Sequence, residues 1–323
     1  MVRVKVMSDI HVDVNAMIMG LERKDFLNVL LDYLFETRND FDVLLFVGDL
    51  SNDMLYSLKI LDAIDKRLEL KKIIKFVPGN HDVAFSRGYG NIEIDSTEML
   101  NLYNKSKFSL FEPLELSSNT VLIGGLGWYD YSYYDLFLGD MKEELGLDYE
   151  FDKYVAGLKY QYWFDGSRIN FNDSDVNICG KENLRYGNLI SNYKDKDIFL
   201  INHFVPFYRY VKVDRSNEIW NICNAFIGSE ELGDIIERNS NVKYVAFGHT
   251  HSRFGLTEIG ERKEICVPLG YFGEWTEFEN LSINYNYFGK ELEYFVKNEL
   301  TFAEKSLIIK KELKSLNTII STR

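Results

Sequence analysis

The chain has 323 residues, 46% of them hydrophobic and 27% charged, and carries a formal net charge of −13. That length allows one large α/β domain or two modest ones, and the balance is that of a globular chain with a real core rather than of a disordered one. The acidic excess tells against long nucleic acid, which needs a basic track, but not against a small phosphorylated ligand reached through bound cations.

In chain order, Val2–Met7 alternates as a strand and lacks the long apolar stretch of a signal peptide. Asp25–Arg38 has helical spacing, with Phe26, Leu30, Tyr33 and Leu34 near one face. Val43–Val47 is a continuous apolar run, hence a buried strand. Asp53–Leu68 is helical again, and Ile73–Val77 is a third buried strand. This β-α-β-α-β order predicts a sheet with helices on its faces. Val121–Ile123 is a further strand. Between about Trp128 and Lys196 aromatics crowd together: Trp128, Tyr129, Tyr131, Tyr133, Tyr134, Phe137, Tyr160, Tyr162, Trp163 and Phe164. They predict an insertion or cap, whose rings either pack into a core or line a pocket. Ile198–Ile201, Val242–Phe247 and Ile265–Val267 are strands, and Ser229 is placed to cap a helix through about Arg238. Lys305–Arg323 is amphipathic but ambiguous in type. No run of about 18 apolar residues suits a bilayer, so no membrane partner is expected. Cys179, Cys223 and Cys266 lie far apart, which suggests free thiols in a reducing compartment, the cytoplasm.

All five histidines stand in motifs just past predicted strands. Asp9 and His11 follow the first, Asp49 follows the second within Gly48-Asp49-Leu50, and Asn80, His81 and Asp82 follow the third. His203 follows Ile198–Ile201, and His249 and His251 follow Val242–Phe247 within Gly248-His249-Thr250-His251. The C-terminal ends of strands in an open α/β sheet gather along one edge, where ligands bind. Taken singly, each motif is as often a turn or a packed side chain as a ligand. Together they would bring carboxylates, imidazoles and an amide into one crevice, a donor set suited to first-row divalent ions. Asp49, midway in the set, is the natural bridge, offering an oxygen to each of two ions that share a hydroxide as nucleophile. Two 2+ ions less Asp9, Asp49 and that hydroxide leave about +1, which attracts phosphate despite the acidic chain.

The ordered set Asp-x-His, Gly-Asp, Gly-Asn-His-Asp, His, Gly-His-x-His, spanning Asp9 to His251, closely resembles the calcineurin-like metallophosphoesterase superfamily. Gly127-Trp128-Tyr129-Asp130-Tyr131-Ser132 and Pro268-Leu269-Gly270-Tyr271 look like features of its bacterial phosphohydrolase branch. The resemblance implies an α/β fold, a four-layer αββα sandwich of two mixed β-sheets flanked by helices. It implies a metallophosphoesterase domain over 1–300 with the aromatic-rich insertion or cap at about 128–196, and a segment 301–323 packed on the same domain. It implies one ion on Asp9, His11, Asp49 and His251 and another on Asp49, Asn80, His203 and His249. Manganese is the first expectation, and iron, zinc, nickel or cobalt suit the same ligands. His81 would contact the phosphate and protonate the leaving oxygen, with Asp82 orienting it or merely stabilising the turn.

Two departures narrow the resemblance. Protein serine/threonine phosphatases look like Gly-Asp-x-x-Asp-Arg-Gly where this chain has Gly48-Asp49-Leu50-Ser51-Asn52-Asp53-Met54, so the aspartate that partners the histidine is Asn52 and the phosphate-binding arginine is Asp53. Purple acid phosphatases carry a tyrosine ligand where Asn52 stands. The expected function is hydrolysis of a small phosphomonoester or phosphodiester, perhaps nucleotide-like. The alternatives are a nuclease, disfavoured by charge, and a non-catalytic protein-binding scaffold, disfavoured because no ligand position is missing.

Overall fold

The computed structural model describes residues 1–84, 86, 87, 93–134, 151–214, 217–275 and 296–322. Phe137 and Arg323, which figure in the expectations above, lie outside them. The strands are β1 (Val2–Met7), β2 (Val43–Val47), β3 (Ile73–Val77), the short pair β4 (Ser86–Arg87) and β5 (Glu93–Ile94), β6 (Leu114–Glu115), β7 (Thr120–Gly124), β8 (Asp197–Ile201), β9 (Val242–Phe247), β10 (Gly255–Ile259), β11 (Arg262–Cys266) and β12 (Thr318–Thr322). One sheet runs β12-β1-β2-β3, with β1, β2 and β3 parallel and β12 antiparallel at the edge. The other runs β10-β11-β9-β8-β7-β6, parallel from β11 to β7 and antiparallel at both edges.

The period-two alternation of the strands builds the layers. Val4, Val6, Val43, Leu45, Val47 and Val77 of the first sheet meet Leu122, Phe199, Ile201, Ala246 and Ile265 of the second, forming a dry seam between sheets. On the outer face of the first sheet, Met7, Leu44, Phe46 and Phe76 pack against the helices Arg23–Glu36, Met54–Arg67 and Phe302–Ser315. On the outer face of the second, Ile123, Ile198, Leu200 and Val245 pack with Tyr186 and Ile190 of helix Asp175–Asn192 and Leu232 and Ile236 of helix Glu230–Arg238. The result is the four-layer αββα sandwich of two mixed sheets. Asp53 caps the helix Met54–Arg67 by accepting from Leu55 N at 2.8 Å, and Ser229 caps Glu230–Arg238 by accepting from Leu232 N at 3.3 Å.

Two segments needed the structure to settle their form. The C-terminal segment is a helix, opened by a capping box between Thr301 and Glu304, followed by β12, which pairs with β1. Among the described residues of the aromatic stretch, Trp128, Tyr129, Tyr131 and Tyr134 join the cluster that also packs the helices of the first sheet, and Tyr133 joins the outer cluster of the second. Cys179, Cys223 and Cys266 are free and buried. Among the described residues no helix is long and apolar enough to cross a membrane.

Candidate metal centre

Five strands deliver the seven candidate ligands. β1, β2 and β3 of one sheet end at Met7, Val47 and Val77, and β8 and β9 of the other end at Ile201 and Phe247. The loops that follow remain tied to one another. Asp9 N donates to Gly48 O and His11 N to Asp49 O, both at 3.0 Å, while Gly248 N donates to His203 O at 2.9 Å. Asp9, His11, Asp49, His249 and His251 all adopt positive φ, between 45° and 67°. For a residue with a Cβ that conformation costs about 1–2 kcal/mol. Such concentration of backbone strain marks a place where the surrounding bonds, not local preference, decide the chain's path. Gly48 is required here, with φ +82° and a Cβ position only 2.1 Å from His203 Nδ1. At Gly248 a Cβ would lie 2.3 Å from Asp9 Oδ2.

The side chains converge as two groups that share Asp49. Asp9, His11, Asp49 and His251 form one, and Asp49, His203 and His249 the other, each with its ligand atoms within 4.8 Å of one another. His11 Nε2 lies 3.1 Å from His251 Nε2 and 3.7 Å from Asp49 Oδ2. His203 Nε2 is 3.3 Å from the same Asp49 oxygen, and His251 Nε2 is 3.5 Å from Asp9 Oδ1. Ligands bonded to one first-row cation at about 2.0–2.2 Å lie roughly 3–3.5 Å from their neighbours, so these separations suit such an ion. Four buried polar atoms of the cluster, Asp9 Oδ2, His11 Nδ1, Asn80 Oδ1 and His203 Nε2, have no hydrogen-bond partner. Buried atoms of this kind are rare in native proteins and call for a partner such as a bound ion. The donor set therefore fits a pair of divalent cations.

Asp49 Oδ1 accepts the backbone N–H of His81 at 2.9 Å, and Oδ2 is its oxygen nearest a histidine of each group.

Three of the four ligand histidines are turned by their far nitrogen. His203 Nδ1 donates to Val47 O at 2.9 Å, His249 Nε2 to Phe226 O at 3.0 Å, and His251 Nδ1 to Glu274 Oε2 at 2.8 Å. A carbonyl or carboxylate accepts only, so each bond keeps a hydrogen on the far nitrogen and turns the near one to the site, where a metal would take the place of any proton. Asn80 Nδ2 likewise donates to Asp165 Oδ1 at 2.7 Å. The charges interlock. Burial would raise Asp49, but His203, His81 and His11 hold it well below the usual carboxylate range. Burial would lower His203, but Asp49 lifts it to about 9. Burial lowers His11 and His249 well below the usual histidine range.

His81 stands beside this cluster without belonging to either group. Its ring stacks on Phe164 at 4.2 Å and meets His11 edge-on at 4.9 Å. Its Nδ1 is 2.7 Å from Asn52 Oδ1, and Nε2 is 3.4 Å from Tyr271 Oη. The amide oxygen accepts, so Nδ1 carries the hydrogen and Nε2 faces outward. Burial lowers the pKa of His81, against the pull of Asp49.

Of the two roles expected of Asp82, orienting His81 or stabilising the turn, its contacts are those of the second. Its Oδ2 accepts from Asp49 N at 2.7 Å and Gly79 N at 2.9 Å, and its Oδ1 from Leu50 N, Ser51 N and Ser57 Oγ at 3.2, 3.3 and 2.5 Å. It clamps the loop of Asp49 to that of Asn80, and Asn52 takes the place beside His81. Replacing Asp82 by alanine leaves several buried donors unpaired and should cost about 3–5 kcal/mol. Urea unfolding measures this, and a loss below about 1 kcal/mol would refute the clamp.

A cavity of about 330 Å³ opens beside the cluster, lined by Asp49, Asn80, His81, His249 and His251 and by Trp163, Phe164, Trp220, Ile227, Thr250, Tyr271 and Glu274. No lysine or arginine among the described residues lines it. Glu274 and Asp165 carry no motif, and the sequence offers no signal for either. Asn52 and Tyr271 stand in segments that the sequence comparison singles out.

The family model of the calcineurin-like phosphoesterases matches residues 2–253. The chain belongs to that family. The match takes in every residue from Asp9 to His251 that carries the cluster. Among solved structures, phosphopantetheinyl hydrolase from Mycobacterium tuberculosis shares the fold of this calcineurin-like phosphoesterase. It is 13% identical, with a TM-score of 0.53, over 87% of this chain and 93% of that one. A dimetal phosphatase from Danio rerio is 14% identical with a TM-score of 0.47, over 83% of this chain and 87% of that one. No curated protein matches the sequence.

Proposed function

We propose that this calcineurin-like phosphoesterase hydrolyses a small phosphomonoester or phosphodiester with two divalent cations, manganese first among them. Asp9, His11, Asp49 and His251 would hold one ion, and Asp49, Asn80, His203 and His249 the other. The observation that carries this reading is Asp49 Oδ2, buried and within 3.3–3.7 Å of a histidine from each group. When bound, the cations supply an activated water and neutralise phosphoryl oxygens. The chain supplies the rest. His81 points Nε2 outward, where a phosphate anion would raise its proton affinity against the effect of burial, and it would donate that proton to the leaving oxygen. Asn52 accepts from Nδ1 and so keeps Nε2 as the nitrogen that takes up the second proton and gives it away. Phe164 stacks on the ring and Tyr271 lies beside its Nε2.

The cavity supports a narrower substrate class. Its flat apolar walls, Trp163, Phe164, Trp220 and Tyr271, suit a flat leaving group, nucleotide-like or simpler. With Glu274 in the lining and no cationic side chain among the described lining residues, a second phosphate on the leaving group has no counter-charge there. The same wall offers no basic track to extended nucleic acid, which weighs against a nuclease. The buried thiols accord with a reducing compartment, the cytoplasm.

The test is protein stripped of metal, reconstituted with manganese, and assayed on 4-nitrophenyl phosphate, bis(4-nitrophenyl) phosphate and a nucleoside diphosphate. Metal-dependent release is expected from at least one nitrophenyl ester, with the diphosphate slower. Absence of turnover with manganese, iron, zinc, nickel and cobalt alike would reject the enzyme reading in favour of a scaffold.

A further inference from the structure

Asp165 is fully buried outside both ligand groups, in the aromatic stretch rather than in any of the metal motifs. Its Oδ1 accepts from Asn80 Nδ2 at 2.7 Å. Its Oδ2 accepts from Tyr129 Oη at 2.9 Å and Trp163 Nε1 at 3.1 Å. Asn80 Oδ1, at the other end of the same amide, is buried without a partner. The two ends of an asparagine amide have nearly the same shape, so packing alone cannot choose between them. Turned one way, Asn80 presents an oxygen to a cation. Turned the other way, it presents an NH₂, which repels one. A carboxylate accepts only, and opposite Asp165 Oδ1 the flipped amide would set oxygen against oxygen.

We infer that Asp165 is the positioning residue that keeps the Asn80 oxygen toward the second ion, an assignment that rests on the dinuclear reading above. Through it, the aromatic stretch is coupled to the metal site, because Tyr129 and Trp163 hold the carboxylate that holds the ligand. The indole Nε1 of Trp163 can only donate. That constraint makes the consequence of substitution specific. In Asp165→Asn the new amide must keep its oxygen toward Trp163 and Tyr129, so its NH₂ faces residue 80. Asn80 then turns its own oxygen toward that NH₂ and its NH₂ toward the ion.

The experiment is manganese binding to the full chain by calorimetry, with electron paramagnetic resonance separating a coupled ion pair from a lone ion. Wild type is expected to bind two ions. Asp165→Asn should keep the first and bind the second about 10–100-fold more weakly, the range for an outer partner of a metal ligand. The exchanged pair Asn80→Asp with Asp165→Asn restores the pattern: Asn at 165 donates to Asp at 80, whose other oxygen faces the ion. Second-ion affinity at least equal to that of wild type is expected there, because the ligand at position 80 is then a carboxylate oriented by a donor. Tyr129→Phe, which removes a bond to Asp165 but none to Asn80, should retain both ions. Unchanged second-ion affinity in Asp165→Asn, no recovery in the exchanged pair, or equal weakening of both ions would overturn the assignment. Fewer than two ions on wild type would instead reject the dinuclear reading, and this inference with it.

Discussion

Asp49→Asn is expected to retain at most one manganese per chain and to lose turnover by well over about 10²-fold. Outer partners of metal ligands alone are worth 10–100-fold in metal affinity, and a ligand shared by two ions is worth more. The reason lies in how the two oxygens of Asp49 are used. Oδ1 accepts the His81 backbone N–H, and Oδ2 faces His11 and His203. An asparagine at this place has one oxygen. If that oxygen keeps the His81 bond, the NH₂ points between the two groups and opposes both cations. If it turns toward the ions, the His81 N–H loses its acceptor and the NH₂ is set against it, and a neutral oxygen must still serve two dications. Either choice fails at the bridge. The substitution preserves volume, and the clamp from Asp82 acts on the backbone N–H of Asp49, which the variant keeps. The fold should survive, with a circular dichroism spectrum like that of wild type. Elemental analysis showing two ions per folded chain would contradict the assignment of Asp49 as bridge.

What was legible in the sequence follows from where the information sits. β2 is an uninterrupted apolar run because it is buried on both faces, between the helices and the second sheet, and burial of that kind leaves a local signature. β10 is an exposed edge strand with no apolar run, so nothing marks it until it pairs with β11. β12 is a strand because β1 lies beside it, a pairing that joins Val2 to Thr322 and that no local window contains. The 18-residue helix Asp175–Asn192 lies within the stretch that aromatic crowding marks only as an insertion or cap. The site divides along the same line. Asp9, His11, Asp49, Asn80, His203, His249 and His251 stand at strand ends, where residue type and position together carry chemical meaning. Glu274 and Asp165 are single acids whose roles come from the histidine or asparagine that folding brings to them. Asp82 sits in the motif next to His81, yet it turns inward to gather five donors while the imidazole turns outward. Adjacency in sequence says nothing about direction.

His81→Ala separates the histidine's backbone from its side chain and gives the sharpest test of acid catalysis. The backbone N–H that supports Asp49 remains, and among the described residues the imidazole's hydrogen-bond and ring partners are Asn52, Phe164, His11 and Tyr271. Both ions should therefore stay bound, while turnover falls by about 10²–10⁴-fold, the usual worth of a positioned general acid. The loss should also depend on the leaving group. An alkyl phosphate must expel a strongly basic alkoxide and needs the proton, so it should show the full loss. A 4-nitrophenyl ester expels an already stabilised anion and should lose far less. Asn52 sharpens the same point: its neutral amide orients the ring without stabilising an imidazolium as a carboxylate would, so the proton on Nε2 has little holding it once the leaving oxygen turns negative. Steady-state rates for the two ester types, measured on wild type and variant beside their metal content, decide the matter. Equal losses on both esters would mean that His81 acts by shape or by binding phosphate alone, and departure of an ion would make it part of the metal site.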